Sequence, residues 1–250
     1  MSSLAGDTLR LASTTSTRDS GLFEAILPKF LEATGITVEV VAVGSGRALD
    51  LARRGDADAV LVHAPAAERA FIDEGAGIDR RPVMYNHFLL VGPAQDLAGI
   101  RSQSDPSAAL RKIAGKPELF ASRGDDSGTH KRERALWQSA GIEPAGAWYR
   151  ETGSGMGATL NIAAELPAYT LVDSGTWLAF RNRRGLEALV NRAEALHNPY
   201  SVIRVNPERH PHVAARAALA FSDWLVSDAG RAAISAHRVG GKQLFFPLPE

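Results

Sequence analysis

Between Leu9 and Val62 the chain alternates strand-like and helix-like hydrophobic patterns, and that alternation constrains its fold more than any other feature. Leu9 to Ser13 reads as a short strand, and Leu22, Phe23, Ile26, Leu27, Phe30 and Leu31 recur at helical spacing until Thr34-Gly35. Ile36 to Val43 is β-branched and alternating, a helix is predicted over Arg47 to Arg54, and Ala57 to Val62 reads as a buried strand. Successive β-α-β units require parallel strands joined by right-handed crossovers. A second α/β pattern starts at His87-Phe88-Leu89-Leu90-Val91. It continues with a helix near 107–114, a strand near Leu119, helices from about Ser127 and over 156–165, and a strand over 169–172. After Asn198-Pro199 come a strand, Tyr200 to Val205, and helices over Val213 to Val226 and Ala229 to Ala236. The apolar face made by Ala217, Leu219, Ala220, Phe221, Trp224 and Leu225 needs a cover, and the first sheet is the expected one. The expectation is an α/β protein of two lobes. Residues 1–85 with 200–250 form one lobe and 86–199 the other, with chain crossings near 85–88 and 197–201 and a ligand cleft between them. In such sheets ligands bind at the carboxyl ends of strands, where loops enter helices.

Five of those strand-to-helix junctions share one chemistry. Ser13-Thr14-Thr15-Ser16, Gly44-Ser45-Gly46, Ser122 to Thr129, Gly153-Ser154-Gly155-Met156-Gly157 and Asp173-Ser174-Gly175-Thr176 all place small hydroxyl residues or glycine before a helix. Helix N-termini carry unpaired N–H groups and a partial positive charge, so they attract anions. Taken singly, each is also what an ordinary cap looks like, with Asp126 or Ser127 as N-cap and Arg123 in a surface ion pair. Arg123 offers a planar fork suited to a tetrahedral anion, and Asp125 two residues on is placed to steady it.

The bulk composition makes a local site necessary. Lys plus Arg and Asp plus Glu are 28 each in 250 residues, so no general field favours nucleic acid or an anionic membrane. The chain has 0 cysteines, which removes disulfides, thiolate metal sites and cysteine nucleophiles. No apolar run approaches the ~20 residues that span a bilayer. Met1 to Thr8 is polar and lacks the apolar stretch of an export signal, which leaves a cytoplasmic protein or one whose signal has been removed.

Arg123-x-Asp125-x-Ser127-Gly128-Thr129 resembles the phosphate-gripping motif of periplasmic phosphate-binding proteins. The chain is more similar to the tungstate-binding (TupA-like) proteins of ABC importers. The residues that carry this likeness are Ser13 to Thr17, Ser122 to His130, Gly153 to Leu160 and Thr170 to Trp177. The resemblance covers nearly the whole chain. It implies a type II periplasmic-binding-protein fold, each lobe a mostly parallel sheet flanked by helices. It also implies delivery of an oxyanion to a membrane permease with its ATPase, a monomer, and a periplasmic or lipid-anchored extracellular location. On this reading the oxyanion ligands are Ser13, Thr14, Ser45, Arg123, Ser127, Gly128, Thr129, Ser154 and Gly155, supported by Asp125, with no cofactor and no metal.

Protonation chemistry narrows the anion. Phosphate keeps a proton near neutral pH and benefits from a carboxylate acceptor, whereas tungstate and molybdate are bare dianions that such a carboxylate repels. In phosphate-binding proteins an aspartate at the tip of the third strand plays that part. Here the strand ends Val60-Leu61-Val62-His63-Ala64-Pro65, with Asp56 and Asp58 at its other end. The expected ligand is therefore tungstate or molybdate, with phosphate or sulfate as the alternative on the same fold. A small-acid or phosphotransfer enzyme would need a positioned acid and base that the sequence does not display. A regulator's sensing domain would need an attached DNA-binding helix-turn-helix. His63, His130, Trp177 and the Tyr85-Asn86-His87 crossing are read as packing groups. His210-x-His212 lacks further metal ligands, and Arg181 to Arg184 is read as a solvated helical face.

Overall fold

The structure is a computed structural model that describes residues 7–101, 103–125, 127–191 and 193–248. Asp126, the alternative N-cap, lies outside the described residues. The chain forms two compact units, one from the residues up to Tyr85 together with those from Pro199 onward, the other Asn86–Asn198.

In the first unit, strand β1 (Thr8–Thr14) runs into a short helix α1 (Thr15–Asp19) and then α2 (Leu22–Thr34). Strand β2 (Thr37–Val43), helix α3 (Ser45–Arg53), strand β3 (Ala59–Val62) and helix α4 (Pro65–Asp73) follow. β1 pairs in parallel with both β2 and β3, so the tips of all three strands lie at one edge. Helix α2 stops at Gly35, whose φ of 73° is open to glycine at little cost and whose N–H closes the last turn on Leu31. Its buried stripe is Leu22, Phe23, Ile26 and Phe30; Leu31 falls outside it and is exposed.

Strand β4 (Gly77–Pro93) is far longer than the His87–Val91 run that the sequence marks, and it carries the chain into the second unit. There α5 (Pro106–Gly115), β5 (Phe120–Ser122), α6 (Gly128–Ser139), β6 (Tyr149–Glu151), α7 (Met156–Glu165), β7 (Thr170–Asp173), α8 (Ser174–Ala179) and β8 (Leu186–Val190) follow in order. β7 and β8 pair antiparallel with β4, while β5 and β6 pair in parallel. Phe120, Trp137 and Tyr169 centre one core of this unit, and Leu160, Val172 and Met156 another.

Strand β9 (His197–Val205) returns to the first unit and pairs antiparallel with β3. Helices α9 (Ala215–Val226) and α10 (Asp228–Ala236) and the short strands β10 (Arg238–Val239), β11 (Lys242–Gln243) and β12 (Phe246–Pro247) complete it. Phe221 and Trp224 of α9 meet Phe30 of α2 edge-on at 5.1 and 5.5 Å, so α2 shares in covering the apolar face of α9. Leu219, read from the sequence as part of that face, is exposed.

Two further expectations are corrected here. Arg181 to Arg184 is not helical. Arg183 instead lies 4.3 Å over the Trp177 ring and donates to the Trp177 carbonyl at 3.0 Å, and Arg184 pairs with Glu165. Ser45 and Gly46 do not form a loop before α3; with Gly44 as N-cap, they are its first two residues.

Candidate anion-binding site

In the first unit the parallel register sets Ser13 opposite Ala42 and Thr14 opposite Val43, so the Thr14–Ser16 turn and the Gly44–Gly46 turn are neighbours. The structure distinguishes their hydroxyls. Ser13 is fully buried and donates to the Leu61 carbonyl at 2.6 Å, which commits its one hydrogen to tying β1 to β3. Thr14 caps α1 by accepting from the Thr17 N–H at 3.2 Å and shares a 2.6 Å bond with the Thr17 hydroxyl. Ser45 is half-buried at the start of α3, where no side chain caps the helix. Its hydroxyl has no partner among the described residues.

The second unit brings two donor loops side by side. The parallel β5–β6 ladder pairs Ser122 with Glu151, so the loops that follow, Arg123–Ser127 and Thr152–Gly155, leave the sheet together. The Thr152 N–H donates to the Ser122 carbonyl at 2.9 Å, and the Thr152 hydroxyl donates to the Arg123 carbonyl at 3.4 Å. Gly124 sits in this close approach at φ +60°, where a Cβ would stand 2.7 Å from Glu151 Cβ. Gly124→Ala combines the left-handed backbone penalty of about 1–2 kcal/mol with that clash. It is expected to lower the melting temperature and loosen anion binding, read by thermal melts with and without ligand.

Arg123 lies mostly buried beside Asp125. Its Nε donates to Asp125 Oδ2 at 3.1 Å and its Nη2 donates to the same oxygen, which leaves Nη1 without a partner among the described residues. Asp125 Oδ1 accepts from the Ser127 N–H at 3.2 Å. Partial burial opposes ionisation of Asp125. Hydrogen bonds from Ser127 and Arg123 and the guanidinium charge outweigh it and hold the carboxyl below its usual range. Asp125 is thus committed to Arg123 and Ser127, and it steadies the arginine fork as the sequence spacing suggests.

Ser127 caps α6 by accepting from the His130 N–H at 3.3 Å. The hydroxyl of Thr129, a residue buried in the first turn, makes no hydrogen bond among the described residues. Across the pair of loops, Gly155 begins α7 with no side-chain cap. The Ser154 hydroxyl is committed to the Thr152 carbonyl at 3.1 Å, so this loop offers backbone N–H groups from Gly155 onward. Asp173 caps α8 by accepting from the Thr176 N–H at 2.9 Å.

One expectation about the third strand is corrected. No acid follows Val62 directly, yet Glu68, fully buried on α4, accepts from the Ala64 N–H at 2.7 Å and so stands at that strand's tip. Arg80 holds its other oxygen at 2.8 Å through Nη2 and 2.9 Å through Nε. Burial raises the Glu68 pKa, opposed by the Ala64 N–H and by Arg80. With one oxygen on a backbone N–H and the other on a guanidinium, this carboxylate is paired rather than presented, and the acceptor-poor reading of the edge stands. A glutamate one turn into a helix after a strand was the available sequence signal.

The remaining candidates pack as side chains do. His63 stacks on Tyr200 at 4.6 Å, Tyr85 stacks on Phe246 at 5.3 Å, and His87 meets His197 edge-on at 5.0 Å. His210 and His212 bond the carbonyls of Arg53 and Gly55, each at 2.9 Å. His130 Nε2 lies 3.8 Å from Glu151. No group of three or more His, Asp or Glu suited to a metal ion occurs among the described residues.

The fold is shared with known proteins. The family described as the PBP superfamily domain matches residues 3–229. Tungstate-binding protein TupA of Peptoclostridium acidaminophilum is 45% identical over 241 residues, covering 95% of this chain and 84% of that protein. The chain belongs to the PBP superfamily and to the TupA family within it. Among solved structures, the TupA tungstate-binding protein of Desulfovibrio alaskensis G20 aligns with a TM-score of 0.92 at 43% identity, covering 98% of this chain and all of that one. The structure titled tungstate ABC transporter from Geobacter sulfurreducens aligns with a TM-score of 0.82 at 44% identity, covering 92% of this chain and 99% of that one. These TupA relatives are binding proteins by name, and the type II α/β architecture expected from the sequence is that of the PBP superfamily.

Proposed function

We propose that this chain is the substrate-binding component of an ABC importer and that it takes tungstate, with molybdate as the near competitor. The observation that carries this reading is the Arg123 loop. It combines a half-committed guanidinium, a neighbouring uncapped helix start at Gly155 and an aspartate, Asp125, already paired. The naming of the TupA relatives supports the same anion. Arg123 Nη1, the Thr129 hydroxyl and the N–H groups at the starts of α6 and α7 are the second unit's donors. Ser45 and the Thr14–Ser16 turn are those of the first. Ser13 and Ser154 serve by shaping the turns, and Ser127 and Asp125 by fixing α6 and Arg123. Charge-assisted bonds from a guanidinium and helix N-termini offset the cost of taking a dianion out of water.

The partners of this role are a membrane permease and its ATPase, and its place is the periplasm or the outer face of the membrane, with the chain acting as a monomer. No helix among the described residues is long and apolar enough to cross a membrane. The test is thermal-shift titration with tungstate, molybdate, sulfate and phosphate. A ligand at a hundred times its Kd stabilises by about 2.7 kcal/mol, which moves the melting temperature by several degrees. Tungstate is expected to give the largest shift. A response to phosphate alone would overturn the choice of anion, and no response to any oxyanion would overturn the role.

A further inference from the structure

Behind the two donor loops of the second unit lies a buried carboxyl group that binding does not explain. Glu133, on α6 one turn beyond Thr129, is 2% exposed. It accepts from the Tyr149 hydroxyl at 2.7 Å and from Trp137 Nε1 at 3.2 Å, both at Oε1. Tyr149 opens β6, the strand that runs into the Thr152–Gly155 loop, and its ring stacks at 5.9 Å on Phe120 of β5, the strand that runs into Arg123. Trp137 meets Phe120 edge-on at 5.2 Å. One carboxyl group therefore joins the helix whose N-terminus bears Ser127–Thr129 to the strands that deliver both loops.

We propose that Glu133 is a positioning residue of the anion site, joining the Arg123 loop to the Gly155 loop, and that its deprotonation weakens anion binding. This rests on the tungstate reading above. Burial drives the Glu133 pKa up to about 7, with the Tyr149 and Trp137 hydrogen bonds and the charge of Arg134 only partly opposing it. The group therefore changes charge near neutral pH. The charged and titratable groups that act on it are Tyr149 from β6 and Arg134 from its own helix, and Arg134 is itself paired with Glu143. The helices and strands packed against α6 add Arg111 and Lys112 of α5, both exposed and bonded elsewhere, and Asp173 of β7, bonded to Thr176. Tyr149 is pushed above its ordinary value by burial and by Glu133, so it stays a neutral donor throughout. A negative charge appearing beneath the Arg123 loop repels a dianion, and by linkage a bound dianion raises the Glu133 pKa in return.

Glu133→Gln keeps an oxygen for Tyr149 and Trp137 and removes the titration. Tungstate affinity is measured by calorimetry for both proteins from pH 6.5 to 8.5, and the ratio of their Kd values cancels any change in the ligand itself. The wild-type Kd divided by the Kd of the E133Q variant is expected to rise at least about threefold across that range. A ratio that stays flat overturns the inference, while absence of tungstate binding by the wild type at every pH overturns the functional reading and the inference with it. If E133Q does not fold, Tyr149→Phe carries the test. Losing that hydrogen bond raises the Glu133 pKa, so the fall in affinity moves to higher pH, and a curve that does not move overturns the inference.

Discussion

Replacing Arg80 with Ala is expected to destabilise the protein by about 3–5 kcal/mol, the cost of removing one partner of a buried ion pair. Glu68 is fully buried, and Arg80 supplies both donors to one of its oxygens. Without the guanidinium, that oxygen is left charged or must take a proton. The sign with pH follows. The Glu68 pKa already lies above its ordinary value in the folded protein, and losing Arg80 raises it further. The folded variant then binds a proton that the unfolded chain has released, so its stability is retained at low pH and lost as pH rises through the folded pKa. Denaturant unfolding at pH 5 and pH 8 should therefore show a larger deficit at pH 8, and Glu68→Gln in the Arg80→Ala background should recover part of it. An equal deficit at both pH values would mean that Arg80 acts through packing and not through charge.

Arg123→Ala is expected to weaken tungstate binding by at least about 1.5–3 kcal/mol, the scale of a hydrogen bond to a charged group, or roughly ten- to more than a hundredfold in Kd. Two effects act together. The alanine variant loses the Nη1 donor, and it also releases Asp125, whose carboxylate is held by Arg123 at 3.1 Å through Nε. A freed aspartate beside the anion adds repulsion to the lost attraction. Arg123→Lys restores the charge without the planar fork, so only part of the affinity should return. Arg123→Ala with Asp125→Asn separates the two effects, and the double variant should bind better than the single one. Calorimetry on the four proteins reads all of this directly. An unchanged Kd for Arg123→Ala would remove this residue from the site.

Both variants rest on residues whose roles differ in legibility. Arg123 and Asp125 are two positions apart at a strand-to-helix junction, and their pairing could be read from that spacing alone. Glu68 and Arg80 are separated by 12 residues and by the rest of α4, and nothing periodic connects them. Strand β4 was visible only where its residues are continuously apolar. Its first third, Gly77 to Pro82, is rich in charge, and Asp79, Arg80 and Arg81 are held by Arg204, Glu68 and Asp223 from elsewhere in the fold. The Arg181–Arg184 run looked helical by composition, but stacking of Arg183 on Trp177 and pairing of Arg184 with Glu165 decided its path.

The sequence by itself determined the alternation of strands and helices and the donor chemistry at the strand tips. Both follow from local rules, in which side-chain periodicity sets the element and Ser, Thr or Gly begins the helix. Tertiary structure decided which of those donors are still available. Ser13 is used by Leu61, 48 residues away, and Ser154 by Thr152, whereas Ser45, Thr129 and one end of Arg123 keep theirs among the described residues. It also placed Glu68 and Glu133 in the interior beside partners that the linear chain does not announce. A hydroxyl has a single hydrogen to give, and a buried carboxyl must find donors wherever the fold supplies them, so neither outcome is written in the local pattern.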